Sequence, residues 1–97
     1  MAILYQVKNV NGVFTPETLE VKPKSGKTFS LSELQGFVEG YIEIVDLRNG
    51  KIMVVNEEGK LKDLPFNHAA TKIYAEVYSN MDVIVGNALV CELTEIK

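Results

Sequence analysis

The sequence predicts an α+β domain in which two helices pack on a mostly antiparallel sheet, in the order β-β-α-β-β-(β)-α-β. Several short segments alternate apolar and polar residues, which is typical of strands. Two other segments carry apolar residues at helical spacing behind good capping residues. The length of 97 residues and the hydrophobic content of 46% fit a single domain over 1–97.

The N-terminal part of the chain predicts two strands and a helix. Residues 2–8 and 18–22 alternate as strands do, and Asn11-Gly12 between them is a turn signal. Ser30 lies three residues before a glutamate, and this pair forms the capping box that begins a helix. We expect Gly40 to adopt the left-handed conformation that ends this helix.

A β-hairpin is predicted from the β-rich segments 41–47 and 51–56, with Asn49-Gly50 as its turn. In a two-residue turn Arg48 faces Lys51, and this pair sets the register of the whole hairpin. One face of the hairpin then carries Tyr41, Glu43, Val45, Leu47, Ile52, Val54, Asn56 and Glu58.

The C-terminal part predicts a second helix between strands. Residues 61–64 fit a short optional strand, and Asn67 and Asn80 are suitable caps for a helix over 68–79. Residues 82–93 form the last predicted strand, which is apolar on both faces. Such a strand is either central in its sheet or covered by a second subunit.

The amount of apolar surface predicts a homodimer or a higher homo-oligomer. The last strand is apolar on both faces, and the hairpin turns apolar side chains outward. Together they carry more apolar surface than two short helices can cover. The hairpin side chains concerned are Val45, Leu47, Ile52 and Val54.

Charge and hydropathy limit the possible partners and the compartment. The net charge is −3, and Lys22, Lys24 and Lys27 form the one local basic cluster, which we interpret as a solvated loop. Duplex nucleic acid is therefore not an expected partner, because phosphate contacts need a basic stripe. No apolar run is long enough to span a membrane, and no signal peptide is recognisable. We expect a cytoplasmic protein.

The residues with reactive side chains do not form a catalytic pattern. The single cysteine, Cys91, lies in an apolar run and is expected to pack as a small hydrophobic residue. The single histidine, His68, is expected to be a surface residue at a helix start. One cysteine and one histidine cannot build a usual zinc site within one chain. We expect no metal and no cofactor.

The carboxylates allow two weaker hypotheses. Glu43, Asp46, Glu57 and Glu58 could bind a hard cation, but adjacent residues of a strand point to opposite faces, so we interpret them as solvated. Glu43 and Glu58 could instead act as an acid–base pair, since the predicted register places both on one face.

The predicted register also brings together a candidate ligand-binding site. Tyr41, Glu43, Asn56 and Glu58 share the polar end of the hairpin, and Asn67 begins the second helix nearby. Tyr41 could stack on a ring, the two asparagines could bind its polar edge, and a helix N-terminus offers free N–H groups. The alternative is structural: Asn67 only caps the helix, Glu43 pairs with a lysine, and Asn56 shapes the turn.

Four segments carry a resemblance to a known family. They read Glu39-Gly40-Tyr41-Ile42-Glu43, Asn56-Glu57-Glu58-Gly59-Lys60, Leu64-Pro65-Phe66-Asn67-His68-Ala69-Ala70-Thr71 and Asp82-Val83-Ile84-Val85-Gly86-Asn87-Ala88-Leu89-Val90. The chain resembles a domain-of-unknown-function family of small proteins from bacteriophages, plasmids and their bacterial hosts. It departs from the family pattern at Glu39, where a glycine is usual.

The resemblance implies an accessory protein of a phage or mobile element, and it implies no activity. The leading hypothesis is a non-enzymatic protein that binds a host component, and one form of it sequesters a small nucleotide-type ligand. The second hypothesis is a protein–protein interaction module without a small-molecule site, marked by an apolar patch and no concave pocket. The third is a small enzyme that uses Glu43 and Glu58.

Overall fold

The computed structural model describes residues 1–79 and 81–96 and has the predicted α+β fold. The described residues form one antiparallel sheet with the strand order β2-β1-β5-β4-β3. The elements are β1 (Ala2–Val10), β2 (Val13–Val21), α1 (Leu31–Val38), β3 (Ile42–Arg48), β4 (Lys51–Asn56), α2 (His68–Tyr78), β5 (Ala88–Glu92) and a 3-10 turn (Leu93–Glu95). Neither α-helix of these ranges is long and apolar enough to cross a membrane.

The two helices pack on opposite faces of the sheet. Leu34 and Val38 of α1 share a buried cluster with β5 residues that include Leu89. Ala70 of α2 shares a second cluster with Ala88 of β5. The last strand is therefore buried on both faces because it is central in the sheet, which was one of the two predicted reasons.

The hairpin side chains that were expected to need an oligomer for their burial are divided between the two faces of the sheet. Ile52 and Val54 are buried on the α1 side, whereas Leu47 is buried and Val45 half-buried on the α2 side. These four side chains do not form one outward patch, because each face of the sheet has its own helix. A homodimer or higher oligomer remains a prediction.

The predicted register of the β3–β4 hairpin is wrong beyond its first pair. Arg48 does face Lys51, but the next pair is Asp46 with Ile52, so the register shifts at Leu47. One extra residue in β3 changes the pairing of every β3 residue farther from the turn, so each lies on the opposite face from the one predicted relative to β4. Glu43 lies opposite Val55 instead of Asn56.

Three predicted strand boundaries also need correction. Residues 61–64 form turns and the end of a loop and make no strand. The last strand does not begin at residue 82, because β5 covers only Ala88–Glu92. The second strand begins well before residue 18, since β1 and β2 pair as far as the turn at Asn11-Gly12.

The helix caps follow the sequence closely. Ser30 makes both hydrogen bonds of the capping box, and the Asn67 side chain caps α2, as predicted. The left-handed residue after α1 is Glu39, with φ 63°, and not Gly40. The predicted C-cap Asn80 lies outside the described residues.

Candidate functional site: the cleft beside β3

Asn56, one of the predicted site residues, is buried and its side chain is used by the protein itself. Its Nδ2 donates to the carbonyl of Val38 at 3.0 Å, and its Oδ1 accepts from the N–H of Glu58 at 2.8 Å. The amide therefore joins the end of α1 to the turn after β4. Both polar atoms of the amide therefore bond within the protein, and only 5% of the residue is exposed.

Asn67 is similarly occupied. Its Oδ1 accepts from the N–H of Ala70 at 3.0 Å, while Nδ2 donates to the carbonyls of Tyr5 at 3.0 Å and Gly86 at 2.8 Å. Both amide protons are used, and only 2% of the residue is exposed. Asn67 ties the start of α2 to β1 and to the loop before β5, as the structural alternative for this residue anticipates.

A third asparagine completes the pattern. Asn87 Nδ2 donates to the carbonyl of Phe37 at 3.1 Å, and its Oδ1 accepts from the N–H of Val7 at 3.0 Å. The last turn of α1 contains no basic residue. The carbonyls of Phe37 and Val38, which the helix end leaves without helical partners, accept hydrogen bonds from the amides of Asn87 and Asn56. We call Asn56, Asn67 and Asn87 the asparagine cluster.

Glycines let the same segments approach each other closely. A Cβ on Gly59 would lie 2.9 Å from the Val85 side chain, and one on Gly86 would lie 2.8 Å from Leu64. Gly86 also has φ 75°, which favours glycine. The turn after β4 therefore packs directly on the loop before β5. The segments that carry the family resemblance form one tightly packed structural unit.

The side chains of the remaining predicted site residues form no hydrogen bond with Asn56 or Asn67. Tyr41 is 65% exposed, and Glu43 is exposed on the α2 side of β3. Glu58 lies in the turn after β4, with its carboxylate 3.6 Å from the Lys62 ammonium. The register that placed Glu43 and Glu58 on one face is wrong, so the acid–base pair loses its geometric basis.

A concave surface does lie next to Glu43. An open cleft of about 380 Å³ lies between β3, α2 and the loops at 57–61 and 82–85. We call it the β3 cleft. Its lining includes four acidic residues, one lysine and two tyrosines, which are Glu43, Asp46, Glu57, Asp82, Lys60, Tyr74 and Tyr78.

The electrostatics of the β3 cleft are negative. Lys60 forms an ion pair with Asp82. The hydrogen bond from Lys60, followed by one from the N–H of Val83, lowers the pKa of the Asp82 carboxyl. Among the described residues, Glu43, Asp46 and Glu57 form no ion pair. Even with Lys60, and with Arg48 over the Tyr78 ring, the acidic residues are in excess, and this net negative charge favours a positively charged group.

Two tyrosines on α2 build one wall of the cleft. The rings of Tyr74 and Tyr78 lie 5.0 Å apart, and the guanidinium of Arg48 lies 5.7 Å from the Tyr78 ring. The Tyr78 hydroxyl donates to the carbonyl of Asp46 at 2.6 Å. This hydrogen bond joins the end of α2 to β3, so the wall and the strand hold each other in place.

A second concave surface lies beside α1 and differs in charge. It has a volume of about 460 Å³, and Lys22, Lys24 and Phe37 contribute to its lining. The carboxylate of Glu33 accepts hydrogen bonds from the N–H groups of Ser30 and Lys24, each at 3.0 Å. We call this surface the α1 depression. Its charged residues are two lysines and Glu33, so its net charge is positive.

The reactive side chains lie away from both concave surfaces. Cys91 is fully buried in the α1-side cluster, as predicted. Burial, reinforced by Glu95, raises the pKa of its thiol to about 11. His68 is exposed at the start of α2, with its ring 6.0 Å from that of Phe66. No group of three or more metal-binding side chains occurs in the described part of the chain.

Most of the cleft residues were not predicted from the sequence. Tyr74 and Tyr78 are four residues apart, which places them on one helix face, and this spacing was an available signal. Asp82 and Lys60 come from two loops that meet through Gly59 and Val85, and nothing in the sequence next to either residue predicts that they are close.

Comparisons with known proteins give a family and no function. No curated protein and no solved structure matches the chain. The family named "Domain of unknown function (DUF3846)" matches residues 10–96, which includes all four resembling segments. The match begins at Val10, the last residue of β1, and ends at the last described residue, so the other four strands, both helices and the β3 cleft lie inside it, whereas residues 2–9 of β1 lie outside. The chain therefore belongs to the DUF3846 family of unknown function.

Proposed function

We propose that this chain is a non-enzymatic binding protein whose β3 cleft receives a positively charged surface of a host component. The observation that carries the proposal is an open concave surface lined by Glu43 and Glu57, two exposed residues whose carboxylates form no ion pair with a described residue. In this proposal the chain is a cytoplasmic accessory protein of a phage or mobile element.

The shape and charge of the cleft favour binding of a macromolecular surface. The cleft is open to solvent, whereas small-molecule sites usually enclose most of their ligand. Tyr74 and Tyr78 provide aromatic contact area, and aromatic residues are enriched where proteins bind each other. The carboxylates provide charge that would guide a basic partner to the cleft.

The experiment is affinity capture from a host lysate, followed by calorimetry with the purified partner. The double variant Glu43→Lys/Glu57→Lys reverses two exposed charges in the cleft and should abolish binding. Glu20→Lys, an exposed position on β2, is the matched control and should leave the affinity unchanged. A partner that binds the double variant as tightly as the original chain would refute the proposal.

The nucleotide-type ligand is better supported at the α1 depression than at the β3 cleft. Phosphate groups would be repelled by the carboxylates of the cleft, whereas Lys22 and Lys24 in the depression can pair with them, beside the Phe37 ring. Calorimetry with nucleotides and cyclic dinucleotides tests this second candidate. Binding that Lys22→Ala/Lys24→Ala removes would support it, and the absence of heat for every compound would refute it.

A further inference from the structure

The outer edge of β3 carries backbone groups without a described partner. The N–H of Glu57 donates to the carbonyl of Tyr41 at 2.9 Å, so odd-numbered residues of this strand turn their backbone groups toward β4. Ile42, Ile44 and Asp46 therefore turn theirs outward. The carbonyl of Asp46 is bound by the Tyr78 hydroxyl. Those of Ile42 and Ile44 bond to no described group.

The opposite edge of the sheet is protected. Val10 and Val13 flank the two-residue turn of the β1–β2 hairpin, so odd-numbered residues of β2 bond to β1 and Pro16 faces outward. Proline has no N–H to offer, and it is a common device that prevents another strand from pairing with an edge. The described part of β3 has no proline and no lysine.

The surroundings of the open edge define the strand that would fit it. Glu43 and the β3 cleft lie on the α2 side of β3, where a basic side chain would be attracted. Ile44 lies on the other side and is 46% exposed. A second copy of this chain is disfavoured, because pairing two β3 edges would bring two sets of unpaired carboxylates together.

We propose that the partner binds by adding an extended segment to the β3 edge as a sixth strand. The segment alternates basic residues, which lie over the β3 cleft, with apolar residues, which cover Ile44. Main-chain hydrogen bonds to Ile42 and Ile44 supply affinity, and the alternating side chains supply selectivity, as in other strand-addition complexes. This inference rests on the proposed function of the cleft.

The probe is a nine-residue synthetic peptide of alternating lysine and valine, titrated into the isotope-labelled chain and followed by NMR. In the free protein the amide protons of Ile42 and Ile44 should exchange much faster than those of Glu43 and Val45. The peptide should slow the exchange of Ile42 and Ile44. A peptide of alternating glutamate and valine should not bind.

Two changes test the strand geometry. Ile44→Pro removes one outward N–H and should weaken the lysine–valine peptide about tenfold, whereas Thr18→Pro on the β2 edge should have no effect. A peptide methylated on alternate backbone nitrogens should show the same loss with the protein unaltered. This measurement decides the question even if Ile44→Pro does not fold.

The outcomes separate the two proposals. Tenfold losses from Ile44→Pro and from backbone methylation support strand addition. If Glu43→Lys/Glu57→Lys abolishes peptide binding but those two changes do not, the cleft binds basic groups and strand addition is wrong. If the captured partner depends on Glu43 and Glu57 while the peptide does not bind, strand addition is again wrong and the proposed function stands.

Discussion

The asparagine cluster and the β3 cleft use polar side chains in opposite ways. In the cluster, each amide is largely buried and bonded to backbone groups from separate elements. In the cleft, carboxylates such as Glu43 and Glu57 are exposed and have no described ion pair. The four segments that carry the family resemblance contribute to both regions, since Asn56, Asn67 and Asn87 lie in them and so do Glu43, Glu57, Lys60 and Asp82. The same short segments therefore hold the fold together with some side chains and line the open surface with others.

The comparison predicts its largest effect at Asn67. Asn67→Ala removes a helix cap and leaves the buried carbonyls of Tyr5 and Gly86 without their donor, so we expect a loss of about 3 kcal/mol in the free energy of unfolding. Urea denaturation measures it. The adjacent and exposed His68→Ala is the control and should change stability by less than about 0.5 kcal/mol. Equal effects at the two positions would contradict the structural role of Asn67.

Gly86 should give the next largest effect. Gly86→Ala combines a left-handed φ of 75° with a Cβ 2.8 Å from Leu64, and we expect a loss of about 2–3 kcal/mol. Gly12→Ala shares the left-handed φ but has open space around it. It should lose only about 1 kcal/mol. If the two variants melt alike, the close packing of Gly86 on Leu64 does not stabilise the fold.

The buried Cys91 thiol should make the free energy of unfolding depend on pH. The pKa of Cys91 is raised from its ordinary value of 9.0 to about 11, so the folded state favours the protonated thiol. This contribution to stability is complete below pH 9 and is lost as the pH rises through about 11. We expect about 2–3 kcal/mol to disappear in this window. Cys91→Ala should remove this part of the slope, and an unchanged pH dependence in that variant would contradict the prediction.

Glu39 should show a gain of stability beside the asparagine cluster. Its φ of 63° is unfavourable for a residue with a side chain, and glycine is the usual residue at such a helix end. We expect Glu39→Gly to add about 1 kcal/mol to the free energy of unfolding. Glu39→Gln, which changes only the charge, should produce a smaller gain. A destabilised glycine variant would show that the left-handed conformation is not strained.

The cleft side should show the smallest effect on stability. Glu43→Gln and Tyr41→Phe alter exposed side chains, and each should change the free energy of unfolding by less than about 0.5 kcal/mol. Glu43→Gln should nevertheless weaken binding of a basic partner. Tyr41 does not line the cleft, so Tyr41→Phe should not. A large loss of stability in either variant would remove the distinction between the two regions.

The helices were predictable because their determinants are local. The capping box at Ser30 and the cap at Asn67 are read from neighbouring residues and were confirmed. The hairpin register was not predictable in the same way. Asn49-Gly50 marks the turn, but the extra residue at Leu47, whose side chain is buried on the α2 side, has no signal in the turn itself.

The candidate site was harder to predict than the fold for the same reason. Asn56 and Asn67 were selected as ligand-binding residues because polar groups at a strand end and a helix start can serve either purpose. Both are structural because their amides bond to carbonyls that are distant in sequence. Asn56 bonds to Val38, and Asn67 bonds to Tyr5 and Gly86. The β3 cleft likewise forms from loops that are separated in sequence by α2.

The central position of β5 has a consequence for the order of folding. The β1–β2 and β3–β4 hairpins are joined within the sheet only by β5, which is the last strand in the chain. Each hairpin can form from local contacts, but the pairings of β5 with β1 close a loop of most of the chain, which is slow. Until β5 inserts, the inner edges of β1 and β4 are exposed to other chains. Aggregation during synthesis should therefore depend on how quickly this one strand docks.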